Sequence, residues 1–140
     1  MPTHTPRSKR FTAPPVAHLI GFRMTAGSMG KAEGRMRIQR RHVGPSGAAH
    51  GGILCDLADA AMGIAFASTL HDGQAAVTVN LEIHFLRPVW RGQLTARARV
   101  IHRGRRLGLV ECAVTNQAGQ LVAQASSTCT VLSQPLAPPH

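Results

Sequence analysis

The sequence predicts an α+β protein in which an antiparallel sheet wraps around one long central helix. The apolar run from His50 to Leu70 is too long for a single strand and contains no proline, which favours a helix. A helix that is apolar on nearly every face is usually buried on every side. Strand-like segments precede and follow this run, and a curled antiparallel sheet is the simplest structure that covers such a helix.

The segment before the central helix contains two short elements and a loop. Residues 1–15 are basic and contain prolines, so we expect a loose tail. Residues 16–24 are apolar and fit either a strand or a short helix. After a turn over residues 25–30, residues 31–41 alternate between apolar and polar side chains, which indicates a half-buried strand. Residues 42–49 are rich in glycine, proline and serine and form the loop that leads into the helix.

Four strands joined by short turns are predicted after the helix. A turn at His71, Asp72 and Gly73 ends the helix, and the strands follow at residues 75–86, 93–102, 107–115 and 120–132. Strict alternation in the first of these strands places five apolar side chains on one face, namely Val77, Val79, Leu81, Ile83 and Phe85. Residues 133–140 form a proline-rich tail, so we expect one domain over residues 16–132.

The net charge of +10 comes almost entirely from arginine. Nucleic acid is the first partner to consider for such a charge. The chain has no zinc-finger spacing, and aromatic residues that stack on bases make up only 4% of it, so we do not expect nucleic acid binding. Scattered arginines also suit an anionic small molecule.

The cysteines and histidines indicate neither disulfides nor a metal site. Cys55, Cys112 and Cys129 are isolated among apolar residues, which is typical of buried thiols in a reducing cytoplasm. The eight histidines show no metal-ligand spacing. We find no secretory signal, and the central run is too short and too acidic to span a bilayer. We therefore expect a cytoplasmic protein with no metal and no membrane partner.

Two aspartates and two glycines in the central helix are the candidates for chemistry. Asp56 and Asp59 interrupt the apolar run, and a buried carboxylate without a partner is costly or has a raised pKa. Both either lie where the helix reaches the surface or serve a reaction, and Asp56 also suits the positive end of the helix dipole. Gly51 and Gly52 leave backbone N–H groups bare at the helix N-terminus, or simply form a tight entry turn. Bare N–H groups there can stabilise a substrate oxygen that gains negative charge.

Three stretches of the chain together resemble a known enzyme family. The stretches HGGILCDLADAAMGIA, TVNLEIHFLRP and RGRRLGLVECAVTNQAGQLVAQASSTCTV resemble the hotdog-fold acyl-CoA thioesterases of the PaaI, or phenylacetate-type, branch. The match covers about residues 19–132. The resemblance implies the hotdog fold, the hydrolysis of an acyl-CoA to a free acid and CoA, and no metal or redox cofactor.

The resemblance also assigns roles to individual residues. It implies that Asp59 is the catalytic carboxylate, that the Gly51 N–H polarises the thioester carbonyl and that His50 is the family histidine beside it. It implies that Thr78 helps to hold the attacking water, as a serine or threonine does in some members.

The loop before the helix departs from the family pattern. Many members carry an asparagine six residues before the histidine, where this chain has Gly44. Ser46 and His42 are the candidates to replace that asparagine in positioning water.

The spacing of Gly51 and Asp59 predicts a dimer. Eight residues separate them on one helix, which corresponds to about 12 Å along the axis. Reacting groups must lie roughly 3–3.5 Å from the carbon they act on. Two antiparallel chains meet this requirement, because the helix start of one protomer can meet the middle of its partner's helix. We therefore predict an obligate homodimer with two shared sites, and the resemblance implies that dimers pair into tetramers.

A basic turn and two flanking positions are the candidates for holding the phosphates of CoA. Arg103, Arg105 and Arg106 offer guanidinium groups, and Gly104 lets the backbone approach closely. Arg87 is a weaker candidate, and Gly52 lies at the helix N-terminus. The alternative interpretation of the turn is a solvated basic loop.

Three other interpretations remain, and the acyl group stays open. A non-catalytic acyl-CoA sensor would share the fold, a hotdog hydratase would need a differently spaced Asp/His pair, and a basic nucleic-acid module would need base-stacking residues. Small residues on the helix indicate room for an aryl or a medium-chain acyl group, and they are Ala58, Ala61, Gly63 and Ala65.

Overall fold

The computed structural model describes residues 13–25 and 27–139. Two α-helices, a 3₁₀ helix and six strands follow in the order α1 (Pro15–Ile20), β1 (Phe22–Met24), β2 (Lys31–Ile38), the 3₁₀ helix (Arg40–His42), α2 (Gly51–Ala67), β3 (Ala75–Phe85), β4 (Gly92–Arg103), β5 (Leu107–Thr115) and β6 (Leu121–Leu132). The strands form one sheet in the order β1-β2-β4-β5-β6-β3, and every neighbouring pair is antiparallel. Over the described residues, none of the helices is long and apolar enough to cross a membrane.

Helix α2 lies inside the curl of the sheet, which confirms the predicted α+β hotdog architecture. It contacts all six strands. Its inward residues are fully or almost fully buried, and they are Leu54, Leu57, Ala58, Ala61, Met62, Ala65 and Phe66. They pack against inward side chains such as Leu94, Ala96, Val110 and Val114 of β4 and β5, so helix and sheet share one core.

One face of α2 is exposed, so the prediction of burial on every side is wrong for the protomer. The exposed residues are Gly52, Asp56, Asp59, Gly63 and Ala67. They recur every three or four residues and therefore share one side of the helix. The sheet does not close over this side: strands β1 and β3 are its two free edges. Both aspartates thus lie where the helix reaches the surface.

The three elements before α2 differ in detail from the sequence prediction. The apolar segment at residues 16–24 contains both a helix and a strand, because Gly21 ends α1 in a left-handed conformation before β1 begins. Strand β2 ends at Ile38 rather than at residue 41. A 3₁₀ turn follows it, in which the His42 ring accepts the Gln39 N–H.

Both predicted tails lie partly outside the described residues. Of the expected N-terminal tail, residues 1–12 are not described, and Pro15 already begins α1. At the other end, residues 133–139 have no regular secondary structure and residue 140 is not described.

A β-bulge in β3 overturns the strict alternation predicted for that strand. Thr78 pairs with Cys129, but Asn80 pairs with Thr128, which directly precedes Cys129 in β6. Val79 is therefore an extra residue in β3. The extra residue reverses the faces on either side of it. Thr78 therefore faces the helix together with Leu81, whereas Val77 faces the opposite side.

A second bulge in β4 acts in the same way near the other end of α2. Val100 pairs with Val110 and His102 with Leu109, so Ile101 is the extra residue. After the bulge Arg103 pairs with Gly108 and faces inward, where its guanidinium carbon lies 5.3 Å from the centroid of the Phe66 ring.

We predict that Gly108→Ala destabilises the protein. A Cβ at residue 108 would lie 2.0 Å from Cε2 of the fully buried Phe66, so the ring would have to move within a packed core. Overpacking of this kind lowers the free energy of unfolding by about 1–3 kcal/mol, which urea denaturation measures.

The matched control is Gly63→Ala, because a Cβ there meets no atom of residues 13–25 or 27–139 within 4 Å. Replacing a helical glycine by alanine should raise stability by roughly 0.5–1 kcal/mol. Equal midpoints for Gly108→Ala and the wild type would show that the ring is not fixed in place.

Candidate active site

Asp59 and Thr78 form a polar pair on the open side of α2. The Thr78 hydroxyl donates to Oδ1 of Asp59 at 3.2 Å, and both side chains are exposed in the protomer. Only Oδ1 is engaged in this bond, and Oδ2 makes no hydrogen bond to any residue that the structure describes. The bulge at Val79 makes the contact possible, because an unbroken strand would turn Thr78 away from the helix.

The pair opens into a groove of about 410 Å³ between α2 and the edges of the sheet. Asp56, Asp59 and Thr78 supply its polar atoms. The other walls are largely apolar and come from α1, β1 and the exposed side of α2, with Pro14, Val16, Phe22, Met24, Ala60, Gly63 and Ile64 as the lining residues. A carboxylate beside an apolar groove suits chemistry on a substrate with an apolar part.

The walls from α1 and β1 were not foreseen as part of a site. The sequence predicts only an apolar segment at the edge of the fold for Val16, Phe22 and Met24. They reach Asp59 because the sheet curls until β1 approaches the open face of α2. That proximity arises from tertiary structure, and the local sequence carries no signal for it.

Asp56 is a second carboxylate in the same groove. Partial burial raises the pKa of its carboxyl, and the negative charge of Asp59 raises it further. Cys55 precedes it and is half-buried, and burial followed by the charges of the two aspartates raises the pKa of its thiol. The thiol therefore stays protonated and a poor nucleophile at neutral pH.

The N-terminus of α2 has one unpaired N–H group rather than two. His50 is the N-cap, and its Nδ1 accepts the Gly52 N–H at 3.0 Å. The Ile53 N–H donates to the His50 carbonyl at 3.0 Å. The Gly51 N–H makes no hydrogen bond to any residue that the structure describes. The expectation that both glycines leave bare N–H groups is thus corrected to Gly51 alone.

The same contacts define what the His50 ring does. Because Nδ1 accepts a hydrogen bond, the neutral ring carries its proton on Nε2. The ring also packs over Gly44, where an added Cβ would lie 3.3 Å from Cδ2 of His50. Its evident role in the protomer is to cap α2 and so leave Gly51 as the free donor.

Gly51 lies in a different groove from Asp59. Its groove has a volume of about 330 Å³, and Phe85, Arg87 and Val89 are among its other lining residues. A Cβ at residue 51 would lie 2.9 Å from the Phe85 ring, so the close packing of this ring requires glycine. No residue lines both grooves, and the protomer therefore does not bring Gly51 and Asp59 together.

His42 is not available as a replacement for the family asparagine. Its ring is buried, Nδ1 accepts the Gln39 N–H at 2.9 Å, and Nε2 lies 2.6 Å from the carbonyl oxygen of Ile20. Both ring nitrogens therefore bind the protein itself. Ser46 is exposed in the same loop as Gly44 and remains a candidate to position the water in place of the family asparagine.

The Arg103 side chain is hydrogen-bonded within its own chain, whereas the side chains of the other arginines proposed for CoA have no such bond to the described part of the chain. Its Nε donates to Oγ1 of Thr69 at 3.0 Å and its Nη2 to Oε1 of Gln74 at 3.3 Å, while Nη1 donates to the Gly104 carbonyl. These bonds tie the β4–β5 turn to the end of α2.

The remaining candidate positions divide between this turn and the Gly51 groove. Arg105 and Arg106 project from the turn and are exposed. Arg87 lines the Gly51 groove. The N–H of Gly104 donates to the Leu107 carbonyl at 2.7 Å and thereby closes the turn.

Within the described residues, no three His, Cys, Asp or Glu side chains lie close enough together to hold a metal ion.

Comparison with known proteins adds a family to this geometry. The model of the thioesterase superfamily matches residues 46–123. Acyl-coenzyme A thioesterase PaaI of Escherichia coli is 34% identical over 108 residues, which are 76% of this chain and 75% of that protein.

Two solved structures extend the likeness to the whole fold. The structure of E. coli PaaI, from the phenylacetic acid degradation operon, has a TM-score of 0.79 at 31% identity and covers 85% of each chain. The structure of thioesterase HI1161 from Haemophilus influenzae has a TM-score of 0.81 at 26% identity, over 89% of this chain and 93% of that one. Both proteins share the curled sheet and central helix described above.

Proposed function

This chain belongs to the thioesterase superfamily and is a thioester hydrolase, and from that membership we propose that it hydrolyses an acyl-CoA to a free acid and CoA. The observation that carries the proposal is the pairing of Asp59 with Thr78 beside an open apolar groove. The free N–H of Gly51 supports the second requirement of the reaction, a donor that stabilises the carbonyl oxygen as it becomes negative. The similarity to an acyl-CoA thioesterase supports CoA thioesters as the substrate class.

Asp59 and Thr78 act on the attacking side of the thioester carbonyl. Oδ2 of Asp59 either removes a proton from the attacking water or attacks the carbonyl carbon itself, and Thr78 fixes the carboxylate through Oδ1. As the carbonyl oxygen becomes negative, the Gly51 N–H at the positive end of α2 stabilises it. The tetrahedral intermediate then collapses and expels CoA as the thiolate, and in the nucleophilic route water hydrolyses the acyl–Asp59 anhydride. Carboxylate and backbone supply all of these roles, so we propose a reaction without metal or redox cofactor.

A homodimer brings the two halves of this site together. In the protomer, Gly51 and Asp59 line separate grooves, about 12 Å apart along the helix. Strand β3 is an edge strand of 11 residues, and Val79 in it is 57% exposed. A long exposed edge is a template for pairing with another strand. We propose that two protomers join along β3 and the exposed side of α2, with a site at each end of the interface and with such dimers pairing into tetramers.

We assign the phosphates of CoA to arginines whose side chains make no hydrogen bond or ion pair with any described residue. Arg105 and Arg106 are exposed on the β4–β5 turn, whereas Arg103 is already bound to Thr69 and Gln74. Arg87 lines the Gly51 groove, which supports a contact with the pantetheine arm or the pyrophosphate, whereas the Gly52 N–H already donates to His50 and is not a donor for the ligand.

Release of free thiol from a panel of acyl-CoA thioesters tests the proposed reaction. We expect turnover of at least one acyl-CoA with kcat in the usual enzymatic range of about 1–10³ s⁻¹. The parallel measurement is the binding of the same thioesters by calorimetry. Binding without any thiol release would contradict the hydrolase and favour an acyl-CoA sensor.

The double variant Arg105→Gln/Arg106→Gln tests the assignment of the phosphates. We expect KM for an acyl-CoA to rise by about tenfold or more, because hydrogen bonds to charged groups contribute about 1.5–3 kcal/mol. KM for the corresponding acyl-pantetheine, which lacks the nucleotide, should stay the same. Arg97→Gln is the control, since Arg97 lies on the outer face of the sheet and pairs with Glu33. An equal rise in KM for both substrates would remove the assigned role.

A further inference from the structure

Gly63 lies in the middle of α2, and no contact in the protomer requires a glycine there. Glycine inside a helix is less favourable than alanine by roughly 0.5–1 kcal/mol. The φ angle of Gly63 is not positive, and a Cβ built on it would meet no atom of the residues that the structure describes within 4 Å. The empty space beside Gly63 is therefore the feature to explain.

The other small residues of α2 have a packing reason that Gly63 lacks. Ala58, Ala61 and Ala65 are all 0% exposed and let the helix approach the sheet closely. The sequence-based expectation that all four small residues leave room for a ligand is thus wrong for these three. Gly63 alone among them lies on the exposed side of the helix.

The space beside Gly63 is continuous with the Asp59 groove. Gly63 lines that groove and follows Asp59 by four residues, which is about 6 Å along the helix. On the opposite walls lie the apolar side chains of Val16, Phe22 and Met24. A group that leaves Asp59 in the direction of the helix C-terminus passes over Gly63 and contacts these walls.

We propose that this groove holds the acyl group of the substrate and that Gly63 determines which acyl groups are accepted. The inference rests on the proposed hydrolysis, which places the thioester carbonyl beside Asp59. The acyl tail then lies over Gly63, where any side chain would take its space. The two carboxylates of Asp56 and Asp59 lie in the same groove, so an acyl group with its own carboxylate is repelled. The accepted class is uncharged and apolar, an alkyl chain of several carbons or an aryl group.

The test compares Gly63→Leu and Gly63→Ala with the wild type on acetyl-, hexanoyl-, decanoyl- and benzoyl-CoA. The quantity of interest is kcat/KM for each longer substrate divided by kcat/KM for acetyl-CoA, whose single methyl does not extend to residue 63. We expect Gly63→Leu to lower this ratio by about tenfold or more, in the range found when a hydrophobic pocket loses room for a methylene. Gly63→Ala should lower it less.

Ala118→Leu is the control, because Ala118 is exposed in the turn between β5 and β6, outside the proposed dimer interface, and does not line the groove. Its ratio should equal that of the wild type. For an ω-carboxylated acyl-CoA of the hexanoyl length, we expect a lower kcat/KM than for hexanoyl-CoA. In Asp56→Asn, the kcat/KM values of these two substrates should lie closer together than in the wild type.

The outcomes separate this inference from the reaction on which it rests. If the wild type releases no thiol from any probe, the proposed function itself fails. If the wild type is active but Gly63→Leu lowers kcat/KM equally for all probes, the role of Gly63 is wrong and the hydrolase stands. If Gly63→Leu lowers the oligomeric state in light scattering, a second copy of the chain occupies the space, and the acyl site must lie elsewhere.

Discussion

Replacing Asp59 by asparagine is expected to lower kcat for the best acyl-CoA substrate by about 10²–10⁴-fold, the range for loss of a general base. Asparagine keeps the shape of the side chain and still accepts the Thr78 hydroxyl at the position of Oδ1. It cannot take a proton from water, and it is a poor nucleophile. The substitution therefore removes the proton acceptor but keeps the hydrogen bond to Thr78. The midpoint of thermal unfolding should be almost unchanged, while the rate of thiol release falls.

Asp56→Asn is the matched control for this prediction. The same substitution then lies one helical turn earlier, on the same side of α2 and in the same groove. It also removes one carboxylate charge, so a general electrostatic effect would appear in both variants. We expect less than a tenfold loss of kcat for Asp56→Asn. Equal losses in the two variants, or full activity in Asp59→Asn, would contradict the role of Asp59.

The second large effect is expected from Gly51→Pro compared with Gly51→Ala. Both variants introduce a Cβ against the Phe85 ring, 2.9 Å from its nearest atom, but only proline removes the N–H. Residue 51 is the first residue of α2, where proline fits a helix. His50 before it is extended, with φ −65° and ψ 137°, which is compatible with a following proline.

Loss of one oxyanion donor lowers kcat by about 10²–10³-fold. We therefore expect kcat of Gly51→Pro to fall by that factor below kcat of Gly51→Ala, measured with the same acyl-CoA. The difference in kcat between Gly51→Ala and the wild type measures the effect of displacing the Phe85 ring. Equal kcat values for the two variants would show that the Gly51 N–H does not act on the carbonyl.

Mixing the two inactive variants tests whether each site is shared between protomers. A dimer of one Asp59→Asn chain and one Gly51→Pro chain has both defects in one site and none in the other. After unfolding and refolding of an equal mixture, random pairing should restore about a quarter of wild-type activity. Unmixed variants refolded in the same way give the background. No recovery, with mixed dimers present by mass spectrometry, would contradict the shared site.

Most of the fold could be predicted because the core pattern is local. The central helix is recognisable from its length and composition, and the long strands β4, β5 and β6 from their alternation. The bounds of these three strands fall within one residue of the predictions, whereas the helix ends at Ala67, three residues before the predicted end. The error in the predicted faces of β3 arises at a bulge. The sequence does not reveal the extra residues Val79 and Ile101. Each bulge only reverses which face of the sheet the following side chains occupy.

The site divides in the same way between local and long-range causes. The stretch from His50 to Asp59 marked the helix start and the carboxylate, and the structure shows His50 as the cap that takes the Gly52 N–H and leaves Gly51 free. The sequence could not show that Arg103 is bound to the end of α2, since its partners Thr69 and Gln74 lie about thirty residues earlier.

By itself the sequence determined the architecture, the helix that carries the aspartates and the separation of Gly51 from Asp59, because these follow from residue periodicity and the fixed rise of a helix. Only the tertiary structure decided that Thr78 binds Asp59, that one side of α2 is open and that α1 and β1 form the walls of its groove. These features depend on how far the sheet twists and curls and on where a bulge interrupts it. Such geometry is the sum of packing across the whole chain, and no short segment encodes it.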